Sequence, residues 1–320
     1  MVSNEQKDKP RKIALALGSG GARGYAHIGV IEEIEARGWE VVGVAGSSMG
    51  AVIGGLYVAG GMESYRDWVV GLGRRDVMRL VEPGMGGAGL LRASKVMSQV
   101  SKHLGDLNIE DARMPYTAIA VDLVSEREIW FTSGPMIEAM RGSIAIPSVF
   151  TPHVKDGMVL ADGGLLNPVP VAPLANVHAD AIIAVNLSGA PMTRPSAVPD
   201  NAGGLRMPRF RFPALPHVIE PAVHALVQSL DRSDDDAKSS VKPAPLDLST
   251  FEIVDRSLHL MQDTVMRYRL AGYPPDVQVD IPLDACGTLD FHRAKELIAL
   301  GRDRARATFD AWDEAPASSG

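Results

Sequence analysis

Gly46-Ser47-Ser48-Met49-Gly50 sets a serine between glycines, directly after the apolar run Val41-Val42-Gly43-Val44-Ala45. Behind it, Ala51-Val52-Ile53-Gly54-Gly55-Leu56-Tyr57 reads as the start of a closely packed helix. Strand, sharp turn and helix in that order form a nucleophile elbow, G-x-S-x-G, which pushes the serine Oγ out at the carboxyl end of a sheet. Gly46 and Gly50 leave the room that so tight a turn requires. A serine presented in this way can attack an acyl carbon if it has a base, donors for the developing oxyanion and a dry pocket. A plain structural turn between a strand and a helix has the same pattern, so those three parts decide the matter.

Oxyanion donors are offered by Gly18-Ser19-Gly20-Gly21-Ala22-Arg23-Gly24. This loop lies between a strand and a helix N-terminus, where free N–H groups and the helix dipole favour negative charge. A dinucleotide site is the rival reading. It fails on the pattern, because Arg23 stands where the third glycine belongs and Glu40 sits at the entrance of the second strand rather than at its carboxyl end. The base is harder to find. None of the eight histidines has a motif around it, and His153, between Pro152 and Val154, is the least implausible of them. Asp162, in Leu160-Ala161-Asp162-Gly163-Gly164, ends a strand at another sharp turn. A desolvated aspartate has a raised pKa and can take a serine proton directly. An ordinary Asp-Gly turn explains the same residues equally well.

These residues need a scaffold. Hydrophobic periodicity predicts strands at 13–17, 41–45, 116–122, 128–131, 158–161, 181–186 and 277–281. It predicts helices at 25–37, 93–104, 135–141, 218–230, 250–270 and 291–312. In helix 25–37, Ile28, Ile31 and Ile34 share one face. In helix 250–270, Val254, Leu258, Met261, Val265 and Tyr268 form a stripe expected to pack on the core, ahead of a dimer contact or a lipid anchor. The β-loop-α-β-elbow-α order implies parallel strands joined by crossover helices. Residues 84–89 read as a flexible glycine loop, 190–250 as a loop-rich insertion and 232–245 as an exposed linker.

The 320 residues can bury ~75% of their unfolded surface, so one large α/β domain is expected. A hydrophobic fraction of 46% and a charged fraction of 22% are those of a globular chain. The net charge of −7 argues against nucleic acid as a partner. The lone Cys286 excludes an internal disulfide and reads as a small structural residue. No signal peptide or spanning segment is legible, which points to the cytoplasm or a membrane surface. No calcium loop or zinc-type cluster is present in the pattern, so no metal or cofactor is expected.

Three motifs together carry a family resemblance. Ser19-Gly20-Gly21-Ala22-Arg23-Gly24, Gly46-Ser47-Ser48-Met49-Gly50 and Asp162-Gly163-Gly164 resemble, in order and spacing, the oxyanion loop, nucleophile elbow and D-G-G/A turn of patatin-like phospholipases. Arg23-Gly24-Tyr25-Ala26-His27-Ile28-Gly29-Val30 and Ser143-Ile144-Ala145-Ile146-Pro147-Ser148-Val149-Phe150 are similar to the bacterial group related to the esterase domain of neuropathy target esterase. The resemblance covers about 13–190, and more weakly 291–304. It implies a three-layer α/β/α fold with a mostly parallel central sheet. The hydrolase domain is then expected over 13–313, with 190–250 inserted, a disordered tail at 1–12 and a C-terminal tail at 314–320. The resemblance also implies that Ser48 is the nucleophile and Asp162 the base of a dyad, with the amides of Gly20, Gly21 and Ala22 as the oxyanion hole. Arg23, Gly46, Gly50 and Gly163 are implied as supporting residues, Arg23 by bracing the loop or by holding an anionic head group. Ser19 departs from the glycine that many members carry there.

The function expected is hydrolysis of phospholipid, lysophospholipid or simpler esters through an acyl-enzyme. Acyl transfer or thioester cleavage on the same dyad, and non-catalytic lipid binding, are the alternatives. Leu205-Arg206-Met207-Pro208-Arg209-Phe210-Arg211-Phe212 alternates basic and apolar side chains, which suits either peripheral contact with anionic lipid or packing on the core. A homodimer is left open.

Overall fold

The computed structural model describes residues 9–80, 82–83, 91–147, 149–192 and 250–315. Eight strands form its main sheet: β1 (Lys12–Leu17), β2 (Glu40–Ser47), β3 (Tyr116–Asp122), β4 (Arg127–Phe131), β5 (His153–Lys155), β6 (Met158–Asp162), β7 (Ala181–Gly189) and β8 (Val277–Pro282). Their spatial order is β8-β7-β1-β2-β3-β6-β5, with β4 also paired to β3. The pairs from β8 to β3 are parallel, while β3–β4, β3–β6 and β6–β5 are antiparallel. The sheet is mixed and mostly parallel, as expected.

Both faces of β1 are covered, which is why Ile13-Ala14-Leu15-Ala16-Leu17 is apolar throughout rather than alternating. Its pleat still sorts sizes. Ile13, Leu15 and Leu17 enter the main core, where they meet Ile28, Ile31 and Ile34 of α1 (Ala26–Ala36). Each of these large side chains contributes about 1.5–3 kcal/mol by leaving water. Ala14 and Ala16 face the other side and let Val169, Val171, Leu174 and Met266 approach closely. The first face also receives α2 (Met49–Ala59), and the last helix, α8 (Ala294–Glu314), packs along α1. Between them run α3 (Met62–Val70), α4 (Arg74–Leu80), α5 (Ser94–Leu104) and α6 (Met136–Ser143). The long α7 (Thr250–Gly272) supplies Met266 to the second face, which completes three layers.

One expectation needs correction. The stripe on α7 does not pack as a unit: Val254, Met261 and Tyr268 are exposed, and Leu258 and Val265 are half-buried. The helix meets the sheet through Met266 and Leu270, one row round from that stripe, so the inner face is narrower than the pattern suggested. Helices α3 and α4 leave little trace in the sequence, because charged residues break their apolar rows. The 84–89 loop, helix 218–230, linker 232–245, the 205–212 stretch and most of the 190–250 insertion lie outside the described residues. No helix among the described residues is long and apolar enough to cross a membrane.

Candidate active site

β3 positions the two chemical groups. Ser47, the last residue of β2, is paired with Ile119, and Asp162, the last residue of β6, is paired with the next residue, Ala120. β4 occupies the opposite edge of β3, so β2 and β6 share one edge and run towards each other. Their tips meet at consecutive positions. Ser48 Oγ there donates a hydrogen bond of 2.6 Å to Asp162 Oδ2.

The elbow is strained in the way its sequence requires. Ser48 has φ 56° and ψ −125°, a region that non-glycine residues seldom adopt, at a cost of about 1–3 kcal/mol. A Cβ on Gly46 would come within 2.4 Å of the Gly50 carbonyl carbon, and one on Gly50 within 2.1 Å of the Leu17 oxygen. The turn therefore closes only with glycine at both places. The Ser48 N–H donates to Ser143 Oγ at 2.8 Å, and the Ser48 carbonyl accepts from Ala51 and Val52. Ser143 thus fixes the peptide that carries Ser48. It was legible in the sequence only as part of a motif, without a role.

Asp162 is 2% exposed. Burial raises its pKa to about 6, against the opposing hydrogen bonds from Ser48, the Gly164 amide and Ser19. The Gly164 N–H reaches Oδ1 at 2.7 Å. Gly163 lies against β3, where a Cβ would stand 2.2 Å from the Ile119 oxygen. Among the described residues no histidine is hydrogen-bonded to Ser48; His153 instead pairs with Glu138 at 2.8 Å.

The loop after β1 is braced from several sides. His27 Nε2 donates to the Gly18 carbonyl at 2.8 Å, and full burial lowers its pKa to about 4, so the ring is neutral. Gly21 has φ 56° and leaves no space for a Cβ, which would meet the Thr288 oxygen at 2.4 Å. The Ala22 N–H donates to that same Thr288 oxygen at 2.9 Å. The Ala22 amide is thus engaged, whereas Gly20 and Gly21 donate to no protein acceptor among the described residues. Arg23 is 2% exposed and donates from Nε to the Leu187 carbonyl at 2.9 Å and from Nη1 to the Cys286 carbonyl at 3.2 Å. It is a brace, buried too deeply to meet a head group. The Cys286 thiol is pushed up to about 11 by burial, which makes it a poor nucleophile.

Ser48 and Gly21 form part of the wall of a cavity of about 90 Å³. The other walls are almost wholly apolar, with Val52, Trp68, Met97, Val100, Ile144, Phe150 and Phe291 among them. Ser48 is only 1% exposed and borders this cavity.

Residues 15–175 match the family profile described as patatin-like phospholipase. An uncharacterised NTE family protein of Mycobacterium bovis is 40% identical over 94% of this chain and 92% of its own length. The chain belongs to the patatin-like phospholipase family. It is accordingly a lipid-hydrolysing esterase. A lysophospholipase of Mycosarcoma maydis is 30% identical over 60% of this chain, which corresponds to 10% of that much longer protein. VipD from Legionella pneumophila is a weaker structural likeness, with a TM-score of 0.42 and 12% identity over 94% of this chain and 67% of that one.

Proposed function

We propose that this patatin-like protein hydrolyses long-chain acyl esters, lysophospholipids foremost, through a Ser48–Asp162 dyad. Asp162 Oδ2 takes the Ser48 proton as Oγ attacks the ester carbonyl carbon. The N–H groups of Gly20 and Gly21 receive the negative charge that develops on the carbonyl oxygen. Collapse of the tetrahedral intermediate breaks the ester C–O bond, and Asp162 returns the proton to the departing alkoxide. A water molecule then gives its proton to Asp162 and adds its oxygen to the acyl carbon; the acyl C–Oγ bond breaks as Asp162 returns that proton to Ser48 Oγ, and the fatty acid leaves.

The observation that carries the reading is the short Ser48–Asp162 hydrogen bond in the wall of an apolar cavity. The pKa near 6 favours it as well, since such a base is ionised at neutral pH yet basic enough to accept a proton. The acyl chain is assigned to the cavity because its lining offers few polar groups and much apolar area. The lysophospholipase relative supports the choice of a single-chain substrate.

The test is turnover of p-nitrophenyl esters from butyrate to palmitate, and of lysophosphatidylcholine, by wild type and Ser48→Ala. Loss of at least ~10⁴-fold in kcat is expected for the variant, in line with removal of other serine nucleophiles. Equal turnover by the two proteins would refute the assignment.

A further inference from the structure

The cavity beside Ser48 has a cationic rim. Of its lining residues, Tyr25, Ser48, Met49 and Val52 are buried, whereas Leu72, Leu80 and Val96 are among those that also reach solvent. The cavity thus opens beside α4 and the start of α5. Around these apolar residues the chain is basic. Residues 72–95 hold Arg74, Arg75, Arg79, Arg92 and Lys95 against Asp76 and Glu82, a local balance of +3 in a chain of net charge −7. The fold gathers these groups. Glu82–Pro83 pairs antiparallel with Leu91–Arg92, which returns Arg92 to the end of α4. Lys95 Nζ donates to the Arg79 carbonyl at 3.3 Å. Arg75, Arg79, Arg92 and Lys95 are all exposed. Arg79 pairs with Asp76 at 3.0 Å, but both side chains stand in water, where such a pair is weak. Met78, between Arg75 and Arg79 on α4, is exposed as well, as is Val70 at the end of α3.

We propose that this basic face of α4 and α5 docks the protein on an anionic phospholipid surface, with the mouth of the cavity turned towards the bilayer. The inference rests on the reading of that cavity as the acyl site. A negatively charged lipid surface attracts clustered Lys and Arg, and exposed apolar side chains such as Met78 and Val70 enter the boundary between head groups and acyl chains. The overall negative charge of the chain sharpens the effect: the membrane repels most of the molecule and attracts this face, so the sign of the local charge sets the orientation. In that orientation an acyl chain passes from the bilayer to Leu72, Leu80 and Val96 without crossing water. Helix α7 also exposes apolar residues, Leu260 and Tyr268 among them, but none of its described residues lines the cavity. The charge and the opening coincide at α4 and α5.

The experiment is co-sedimentation of the whole chain with vesicles of phosphatidylcholine, alone or with about one-third phosphatidylglycerol. Wild type should prefer the anionic vesicles by about tenfold or more, and lose that preference at about 1 M salt, where the Debye length falls to ~3 Å. Each basic residue at the surface is worth about fivefold, so Arg75→Gln, Arg79→Gln and Arg92→Gln combined should weaken binding about a hundredfold. The three single variants, each expected to lose about fivefold, carry the same test with less load on the fold. Arg256→Gln, Arg267→Gln and Arg304→Gln combined make the same change in net charge at exposed positions of α7 and α8, and should bind as wild type does. Wild type that ignores the anionic vesicles, α4–α5 variants that bind as tightly as wild type, or an α7–α8 variant that loses as much would each overturn the proposal. Sedimentation needs no turnover, so the two readings fail separately. Equal turnover by wild type and Ser48→Ala refutes the dyad and leaves the docking face standing, whereas vesicle binding that survives the α4–α5 substitutions sinks the docking face alone.

Discussion

Replacing Asp162 by Asn should abolish turnover and at the same time make the protein more stable. The carboxyl group titrates near 6 in the folded protein because burial disfavours its charge. In the unfolded chain an aspartate titrates near ~3.9. A folded pKa above the unfolded one means that the group's contribution is fully present below about pH 4 and is lost as pH rises through about 6. The shift of roughly two units corresponds to about 3 kcal/mol of destabilisation by pH 8, and to about half of that at pH 5. Asparagine is isosteric, carries no charge, and can still accept the Gly164 N–H. Asp162→Asn should therefore gain about 3 kcal/mol over wild type at pH 8, or roughly 5 °C in Tm, and distinctly less at pH 5. Urea unfolding of both proteins across pH 5–8 reads this directly. His27, lowered to about 4 by burial, adds its own acid sensitivity but is common to both proteins and cancels in the difference. A variant that is less stable than wild type, or more stable by the same amount at every pH, would refute the claim that the base is held at a cost to the fold.

Two further outcomes follow from the same geometry. Ser143→Ala leaves the Ser48 N–H buried without its acceptor, so stability should fall by about 1–3 kcal/mol and kcat by about tenfold, with KM little changed; steady-state kinetics and a thermal melt measure both, and an unaltered kcat would mean that α2 alone holds the elbow. Val100→Trp places an indole in the acyl cavity, so the preferred ester chain should shorten while fluorophosphonate labelling of Ser48 proceeds at the wild-type rate; an unchanged chain-length profile would move the acyl group out of this cavity.

The chemistry was more legible in the sequence than the packing. Glycines at 46, 50 and 163 announced close backbone approaches, and each proves to face another main chain at under 2.5 Å from where its Cβ would be. The apolar run 13–17 and the isoleucines of α1 likewise signalled burial on both sides of β1, because covered strands and helix faces leave a periodic trace. Contacts between distant segments leave none. Nothing in Gly287-Thr288-Leu289 indicates that the Thr288 carbonyl takes up the Ala22 amide. Nothing in Arg23 distinguishes a ligand-binding guanidinium from one spent on the carbonyls of Leu187 and Cys286. The stripe on α7 misled for a related reason: apolar spacing identifies a helix face, but the neighbour that covers it depends on tertiary placement. Ser143 carries no role in the sequence, because a hydroxyl that accepts one backbone N–H needs no motif of its own.

The convergence of β2 and β6 on one edge of β3 also makes the spacing of the proposed dyad discrete. A strand can shift against its neighbour only by whole residues, about 3.3 Å at a time, and each single step turns every side chain to the opposite face. The separation of Ser48 from Asp162 is thus counted off along a ladder of main-chain hydrogen bonds, rather than left to the compliance of two loops. Small distortions elsewhere in the molecule leave that count unchanged, and the nearest alternative register would point one of the two side chains away from the other.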